Sequence, residues 1–179
     1  LSRWPVGFST ATANKLANAG SLARWRRLHA LAAAHGSPYH YETTVGAALP
    51  LLGSVRALVA RGEAPTRFEA VLSGSLSYLL AQVQNGLSFS AAVAQAQALG
   101  LTEPDPREDL ECRDLVRKLL ILARSAGAGL EPSQVEVEPL VDAAAPRIEA
   151  ADARWDARVR QAQARGERLA VVAEFEHGR

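Results

Sequence analysis

Helix-length apolar patterns alternate along this chain with short apolar runs. Apolar residues at three- and four-residue spacing predict helices over residues 21–35, 50–61, 75–84, 109–126 and 146–165. Ser90 is the expected cap of a further, Ala-rich helix that ends at Leu99. Runs rich in β-branched and aromatic residues predict strands over 7–11, 39–43, 67–72, 134–138 and 168–176. This order predicts an α/β fold, an α+β sandwich with helices packed on one face of a mixed sheet.

The predicted helix at 109–126 follows a segment that cannot be helical. Pro104 and Pro106 fix an extended backbone, and an Asp stands where the helix begins. One buried stripe is predicted from Leu115, Val116, Leu119, Leu122 and Ala123. At about 100° per residue, Asp114 and Lys118 lie about 40° apart, and Lys118 borders this stripe. The layout predicts a functional site rather than a linker.

Lys118 is the strongest candidate for proton transfer. Apolar surroundings push a lysine toward its neutral form, whereas the carboxylate of Asp114 favours the charged form. A balance between the two forms is what a proton-transferring group needs. The alternative interpretation is an ordinary helix ion pair, which contributes about 0.2–0.5 kcal/mol.

Composition excludes several classes of protein. The chain has 179 residues, 48% of them hydrophobic, and a formal net charge of +1, which argues against a dedicated nucleic-acid binder. Its single cysteine, Cys112, excludes an internal disulfide. The sequence contains neither a run of about 18 apolar residues nor a signal-peptide pattern. We therefore expect a cytoplasmic location with no membrane partner. The absence of methionine predicts that the sequence is a fragment, a processed product or a deliberately trimmed chain.

Four segments in order along the chain match one enzyme family. They are Thr12-Ala13-Asn14-Lys15, the stretch Tyr41 to Pro50, the stretch Leu72 to Ser77, and Gly100 to Arg107 followed by Asp114 and Arg117 to Arg124. Together they resemble the homoserine dehydrogenases, in particular the dehydrogenase part of the bifunctional aspartokinase–homoserine dehydrogenases. The form Ser73-Gly74-Ser75 favours the bifunctional branch.

The resemblance implies a reaction and a set of site residues. The reaction is the reversible reduction of L-aspartate 4-semialdehyde to L-homoserine, with NADP or NAD as cofactor, in threonine and methionine biosynthesis. Lys118 is the implied proton donor, and Lys15 assists it. The implied cofactor contacts come from Asn14 and Lys15, and the implied substrate-binding carboxylates are Glu103, Asp109 and Asp114.

Glu42 is a candidate ligand for a cation. A carboxylate followed by a turn at Gly46 can gather oxygen atoms around one hard cation, although a Glu at the end of a strand often only faces water. The resemblance implies a site for a monovalent cation, sodium or potassium, formed by the carboxylate of Glu42 and the carbonyls of Val45, Ala47 and Leu49.

The resemblance also implies the domain organisation. Residues 1–37 correspond to the tail end of a nucleotide-binding domain, and residues 38–179 to a substrate-binding, catalytic and dimerisation domain whose C-terminal segment is expected to be incomplete. No strand–GxGxxG–helix unit occurs, and Gly127-Ala128-Gly129 is expected to end a helix. We therefore expect the phosphate-binding turn and an attached aspartokinase domain upstream of this sequence, and a homodimer.

The sequence is also compatible with two other functions. The acidic residues around the prolines could bind a divalent metal in a hydrolase, but no histidine is near them and Lys118 would compete with the metal. These residues are Glu103, Asp105, Asp109, Glu111 and Asp114. The chain could also be a non-catalytic substrate-binding and dimerisation part that is inactive without its nucleotide-binding half.

Overall fold

The computed structural model describes residues 9–102, 104–142, 144 and 147–176. The helices are α1 (Leu22–Ala34), α2 (Leu51–Ala60), α3 (Gly74–Gln84), α4 (Phe89–Ala98), α5 (Arg107–Leu110), α6 (Arg113–Ser125) and α7 (Asp152–Ala164). The strands are β1 (Thr10–Ala11), β2 (Tyr39–His40), β3 (Arg67–Ala70) and β4 (Ala173–Glu176). Short 3-10 turns cover Glu42–Thr44, Pro132–Gln134 and Ile148–Ala151.

The strands of the described residues form two two-stranded sheets. β1 and β2 are parallel, with Thr10 opposite Tyr39 and Ala11 opposite His40, and α1 connects them. The other sheet pairs β3 with β4, and the rings of Phe68 and Phe175 stack with their centroids 5.1 Å apart. The predicted α/β class is confirmed, with the strands divided between these two ribbons.

The described residues form two compact units. The first comprises residues 9–68, 116–136 and 174–176, and the second comprises 69–102, 104–115, 137–142, 144 and 147–173. Large buried side chains of the first unit are Trp25, Tyr41, Val45, Leu52, Leu120, Ile121 and Leu122. In the second unit they are Leu76, Leu79, Leu80, Val83, Phe89, Val93, Trp155 and Val159. Each unit thus has its own apolar core.

Serine caps begin several helices. Ser21 Oγ accepts the Arg24 N–H of α1 at 3.3 Å, and Ser73 Oγ accepts the Leu76 N–H of α3 at 3.3 Å. The prediction that Ser90 caps α4 is wrong. Ser88 is the cap and accepts the Ala91 N–H at 3.2 Å, while the N–H and hydroxyl of Ser90 both donate to Asp152 at 2.7 Å.

The strand predicted at 134–138 is absent, because the chain turns there instead. Pro132–Gln134 forms a 3-10 turn, and Glu131 donates its N–H to Gln134 Oε1 at 2.8 Å. Residues 135–139 then run without regular structure, and the side chain of Glu138 pairs with Arg158. With no neighbouring strand to pair its backbone, the β-branched spacing alone does not make a strand.

Other predicted strands are shorter than expected. The run at 39–43 is a strand only over Tyr39–His40, because Glu42 begins a 3-10 turn. The run at 67–72 is a strand over Arg67–Ala70. Only Ala173–Glu176 of the run at 168–176 is a strand. The run at 7–11 is a strand over Thr10–Ala11, and its first two residues lie outside the described residues.

The predicted helix at 109–126 is two helices. α5 ends at Leu110 and α6 begins at Arg113, and between them Cys112 adopts a left-handed φ of 59°. The left-handed residue turns the backbone out of the helical path, and nothing in the apolar spacing signals it. Gly127 ends α6 as expected, with φ 97° and its N–H donating to Arg124 O at 3.0 Å.

The helix predicted at 146–165 begins later, at Asp152, after the 3-10 turn Ile148–Ala151. Residues 145 and 146 of that region lie outside the described residues. The Asp152 carboxylate accepts the two Ser90 hydrogen bonds, so the start of α7 is fixed against the start of α4.

Candidate active site

Lys15 lies in a tight turn at the carboxyl end of β1. Asn14 Oδ1 accepts the Leu16 N–H at 2.8 Å, and the carbonyl of Lys15 accepts the N–H groups of Asn18 and Ala19 at 3.0 and 2.8 Å. Lys15 is half-buried and Asn14 is exposed. Since β1 and β2 are parallel and joined by α1, this turn stands where open α/β proteins bind ligands.

Asp114 and Lys118 lie one turn apart on α6, and both are half-buried. The boundary between the two units falls between them, after Leu115. The buried part of α6 is broader than the predicted stripe, because all residues from Leu120 to Ser125 are buried. A helix end that is buried all round is held on every side, so its orientation is well fixed.

The acidic segment before α6 divides into residues with different contacts. Arg113 pairs with Glu108 at 3.2 Å, and its Nε donates to Glu111 at 2.7 Å. Asp105 Oδ1 accepts the Arg107 N–H at 3.0 Å. The carboxylates of these three acidic residues therefore bind partners within the segment itself. Glu103, the remaining predicted substrate carboxylate of this loop, lies outside the described residues.

Asp109 lies beside the serine motif of the second unit. The hydroxyl of Ser75 donates to Asp109 Oδ1 at 3.5 Å, and Ser73 Oγ lies 3.1 Å from Ser75 Oγ. The structure thus brings together two segments that the sequence presents 34 residues apart. No periodic pattern in the sequence signals this contact.

Glu42 is half-buried at the start of a 3-10 turn. Its Oε1 accepts the Gly53 N–H at 3.0 Å and its Oε2 accepts from Arg56 at 2.8 Å. Left-handed φ values at Gly46 and Ala47, 82° and 51°, follow it. Leu49 O accepts the Leu51 N–H at 2.8 Å, while the described residues offer no main-chain donor to the carbonyls of Val45 and Ala47.

A cluster of aromatic rings in the first unit surrounds His29. Its ring centroid lies 4.0 Å from that of Trp25, 5.3 Å from Tyr41 and 5.7 Å from Tyr39. Nε2 of His29 is buried and has no hydrogen-bond partner among the described residues. Burial, and then the positive charge of Arg56, lower the pKa of His29. No motif or residue spacing in the sequence indicates a role for this histidine.

Two absences bear on other functions. Within the described ranges, no group of three or more His, Cys, Asp or Glu side chains is arranged to hold a metal ion. The alternative function, a divalent-metal hydrolase, therefore has no metal site among the described residues, which include every member of the acidic set except Glu103. The helices of the described residues are also all too short or too polar to cross a bilayer.

One lysine thus lies in the turn between β1 and α1 of a parallel strand–helix–strand unit, and the other lies on the largely buried helix α6. These features define an α/β protein, a class that binds its ligands at the carboxyl edge of the strands. The homoserine dehydrogenase family model matches residues 50–177, and the chain belongs to this family.

One relative is the bifunctional aspartokinase/homoserine dehydrogenase of Haemophilus influenzae. It is 40% identical over 183 residues, which cover 97% of this chain and 22% of that protein. The chain thus spans about a fifth of the length of this relative. The resemblance seen in the sequence is confirmed.

Two solved structures share the fold. A homoserine dehydrogenase from Thiobacillus denitrificans superposes with a TM-score of 0.76 at 24% identity, over 96% of this chain and 37% of that one. A hyperthermophilic archaeal homoserine dehydrogenase in complex with NADPH superposes with a TM-score of 0.67 at 22% identity, over 95% of this chain and 46% of that one. These likenesses concern the fold.

Proposed function

We propose that this chain supplies the substrate-binding and catalytic part of an NAD(P)-dependent homoserine dehydrogenase. Its reaction is the interconversion of L-aspartate 4-semialdehyde and L-homoserine. The observation that carries the proposal is the family match over residues 50–177, which contain Asp109, Asp114 and Lys118. The bifunctional relative supports an aspartokinase joined in the same chain.

Lys118 is the proposed proton donor. A nicotinamide cofactor, when bound, supplies the hydride for the aldehyde carbon. The aldehyde oxygen gains the electron pair of the carbonyl bond, and the Lys118 ammonium gives it a proton. In the reverse direction the neutral amine takes that proton back.

The distribution of lysine and arginine along the chain supports this role. Of its 20 Lys and Arg residues only two are lysines, Lys15 and Lys118. Arginine does not release its proton in proteins, whereas lysine can. Lysine therefore stands at the two positions to which the proposal gives proton chemistry or contact with the reacting oxygen.

Asn14 and Lys15 fit the edge of a nicotinamide site. They follow β1 of a parallel pair, the end at which such sheets bind cofactors. Two hydrogen bonds to the carbonyl of Lys15 hold its backbone in the turn, so its side chain starts from a fixed point at this edge. The archaeal homoserine dehydrogenase that shares the fold was solved with NADPH, which supports NADP as the cofactor here.

Glu103, Asp109 and Asp114 are the carboxylates proposed to bind the ammonium group of the substrate and to orient Lys118. The two that are described differ in surroundings: Asp109 accepts from Ser75, and Asp114 lies one turn from Lys118. We assign Asp109 to substrate binding with Glu103, and Asp114 to the orientation of Lys118.

A monovalent cation at Glu42 completes the proposal. The donors are all oxygen atoms, the ligand type that hard cations prefer. The left-handed pair Gly46 and Ala47 bends the main chain sharply, and the carbonyls of Val45 and Ala47 keep their lone pairs free of main-chain donors of the described residues. Because Leu49 O already accepts one hydrogen bond, it can use only its second lone pair.

The proposed organisation follows the family. Residues 1–37 belong to the end of a nucleotide-binding domain, residues 38–179 to the substrate-binding, catalytic and dimerisation domain, and the protein is a homodimer. Size-exclusion chromatography with light scattering of the complete gene product tests the dimer, and a monomeric active enzyme would refute it.

The function is tested by assay of the complete product of the gene that encodes this chain. We expect NADPH oxidation that depends on L-aspartate 4-semialdehyde, and NADP reduction with L-homoserine. The 179-residue chain alone should fold and show negligible turnover, because it lacks the glycine-rich phosphate-binding turn. Absence of semialdehyde-dependent oxidation in the complete product would refute the function, and steady turnover by the chain alone would refute the dependence on that turn.

A further inference from the structure

Arg124 is a buried cation near the end of α6, only 4% exposed. Its Nη1 donates to Asn18 O at 2.8 Å, and Nη2 and Nε donate to Leu130 O at 2.8 and 3.1 Å. Burial lowers its pKa, an effect that the negative charge of Glu131 opposes. The desolvation of this charge is offset by the three hydrogen bonds, since a buried charge without them would be strongly destabilising.

The acceptor Asn18 belongs to the turn of Lys15. Asn18 is fully buried; its N–H donates to Lys15 O at 3.0 Å, and its Oδ1 accepts from the Tyr39 hydroxyl at 3.2 Å. The buried Asn18 therefore accepts a hydrogen bond from Arg124 with its carbonyl and donates its N–H to the carbonyl of Lys15. All of these residues lie in the first unit.

We propose that Arg124 is a positioning residue that fixes the turn of Lys15 to the helix that carries Lys118. Lys118 lies six residues before Arg124 on α6, about 9 Å along the helix axis. Because that end of α6 is buried, a fixed bond from Arg124 to Asn18 sets the main chain of Lys15 relative to Lys118. The inference rests on the proposed function, in which both lysines serve one substrate oxygen.

Arginine is needed here because of its geometry. The planar guanidinium has donors in fixed directions, so Nη1 can bind Asn18 while Nε and Nη2 bind Leu130. A lysine in its place keeps the charge but cannot reach both carbonyls with one fixed fork. Arg124→Lys should thus retain the buried charge and loosen the Lys15 turn.

A double-mutant cycle in the complete gene product tests this. Arg124→Lys should lower kcat by about 10–100-fold, because a displacement of about 1 Å at a reacting group can cost about 100-fold. In a Lys15→Ala background the same substitution should lower kcat by less than about threefold, since the group that it positions is gone. High enzyme concentration keeps the residual rate measurable. Tyr39→Phe removes the hydrogen bond from the Tyr39 hydroxyl to Asn18. It should lower kcat less than Arg124→Lys does, and this fall should also disappear in the Lys15→Ala background. This second variant keeps the test possible if Arg124→Lys does not fold.

Arg154→Lys is the matched control. Arg154 also donates to a main-chain carbonyl, that of Leu140, and also lies about 6 Å from a Trp ring, but it belongs to the second unit. Because Arg154 makes no bond to the Lys15 turn, Arg154→Lys should change kcat less than twofold. Equal fold-losses for Arg124→Lys with and without Lys15 would overturn the inference. Near-normal kcat in both Lys15→Ala and Lys118→Ala would instead refute the proposed function.

Discussion

Arg56 Nη2 lies 2.8 Å from Oε2 of Glu42, so the carboxylate proposed to bind a cation already faces a guanidinium. The Arg56 and Glu42 side chains are 42% and 33% exposed, so solvent screens the pair. Arg56 also lies over the Tyr41 ring at 4.9 Å, which holds the guanidinium in place. A cation at the proposed Glu42 site would therefore be repelled by the positive charge of Arg56.

Glu42→Ala should weaken the monovalent-cation dependence of the complete enzyme more than it changes cofactor affinity. The substitution removes the only charged ligand of the proposed site. Arg56→Gln should act in the opposite direction and lower the half-saturating sodium or potassium concentration several-fold, because a nearby positive charge is lost. Titration of activity with each cation measures both effects.

Glu174→Ala is the control for Glu42→Ala. Glu174 is also partly exposed and pairs with an arginine, Arg67, at 3.0 Å. It should leave the cation response unchanged. An unaltered sodium and potassium response in Glu42→Ala would end the assignment of this site.

His29 should make the stability of the folded chain fall on acidification. Its pKa is lowered from its usual value of 6.5, so the unfolded chain binds the proton more readily than the folded one. Stability from this group is fully present above about pH 6.5 and is lost as the pH falls toward the lower folded pKa. Urea unfolding at about pH 7.5 and about pH 5.5 should therefore show a larger loss in the wild type than in His29→Phe, which keeps an aromatic ring but cannot titrate.

The exposed His35 supplies the control for this experiment. His35→Gln should leave the difference between the two pH values as in the wild type. Identical acid sensitivity in His29→Phe and the wild type would show that His29 does not contribute.

The predictable parts of the fold are those set by local rules. The start of α1 at Ser21 and the end of α6 at Gly127 follow from capping chemistry that neighbouring residues decide. The division between α5 and α6 could not be predicted, because a buried cysteine at φ 59° is held by its surroundings rather than by its own preference. The strand expected at 134–138 failed because strands need a partner that sequence periodicity does not supply.

The residues of the candidate site also fall into those that the sequence indicates and those that only the tertiary structure shows. Lys118 could be selected from its place on a helix face beside Asp114, whereas Lys15 and Glu42 could be selected only because their segments resemble the homoserine dehydrogenases. Arg124 could not: its place in the run Arg117 to Arg124 suggests a polar helix end, and only the tertiary structure brings Asn18 and Leu130 to it. A buried cation can be recognised only once its acceptors are known.

Asp114→Asn should lower kcat of the complete enzyme by less than Lys118→Ala does, without loss of the fold. Asp114 is proposed to orient Lys118 from one helical turn away, and an amide oxygen binds an ammonium group less strongly than a carboxylate does. Asp156→Asn on α7 is the control, because Asp156 pairs with Arg160 at the same four-residue spacing. A kcat equal to that of the wild type would remove Asp114 from the mechanism.

Lys118→Ala is the most direct test of the chemistry. If Lys118 supplies the proton, kcat should fall by roughly 10²–10⁴-fold, the usual range for a general acid or base, with a much smaller change in cofactor KM. An ordinary helix ion pair predicts otherwise, since its loss costs about 0.5 kcal/mol of stability and little activity. Arg160→Ala, which breaks the exposed Asp156–Arg160 pair, supplies that reference in the same protein. A Lys118→Ala enzyme with unchanged melting temperature and near-native kcat would behave like the Arg160 control. The proton would then have to come from another group, and Lys15 would be the better candidate, since it is the one other lysine of the chain.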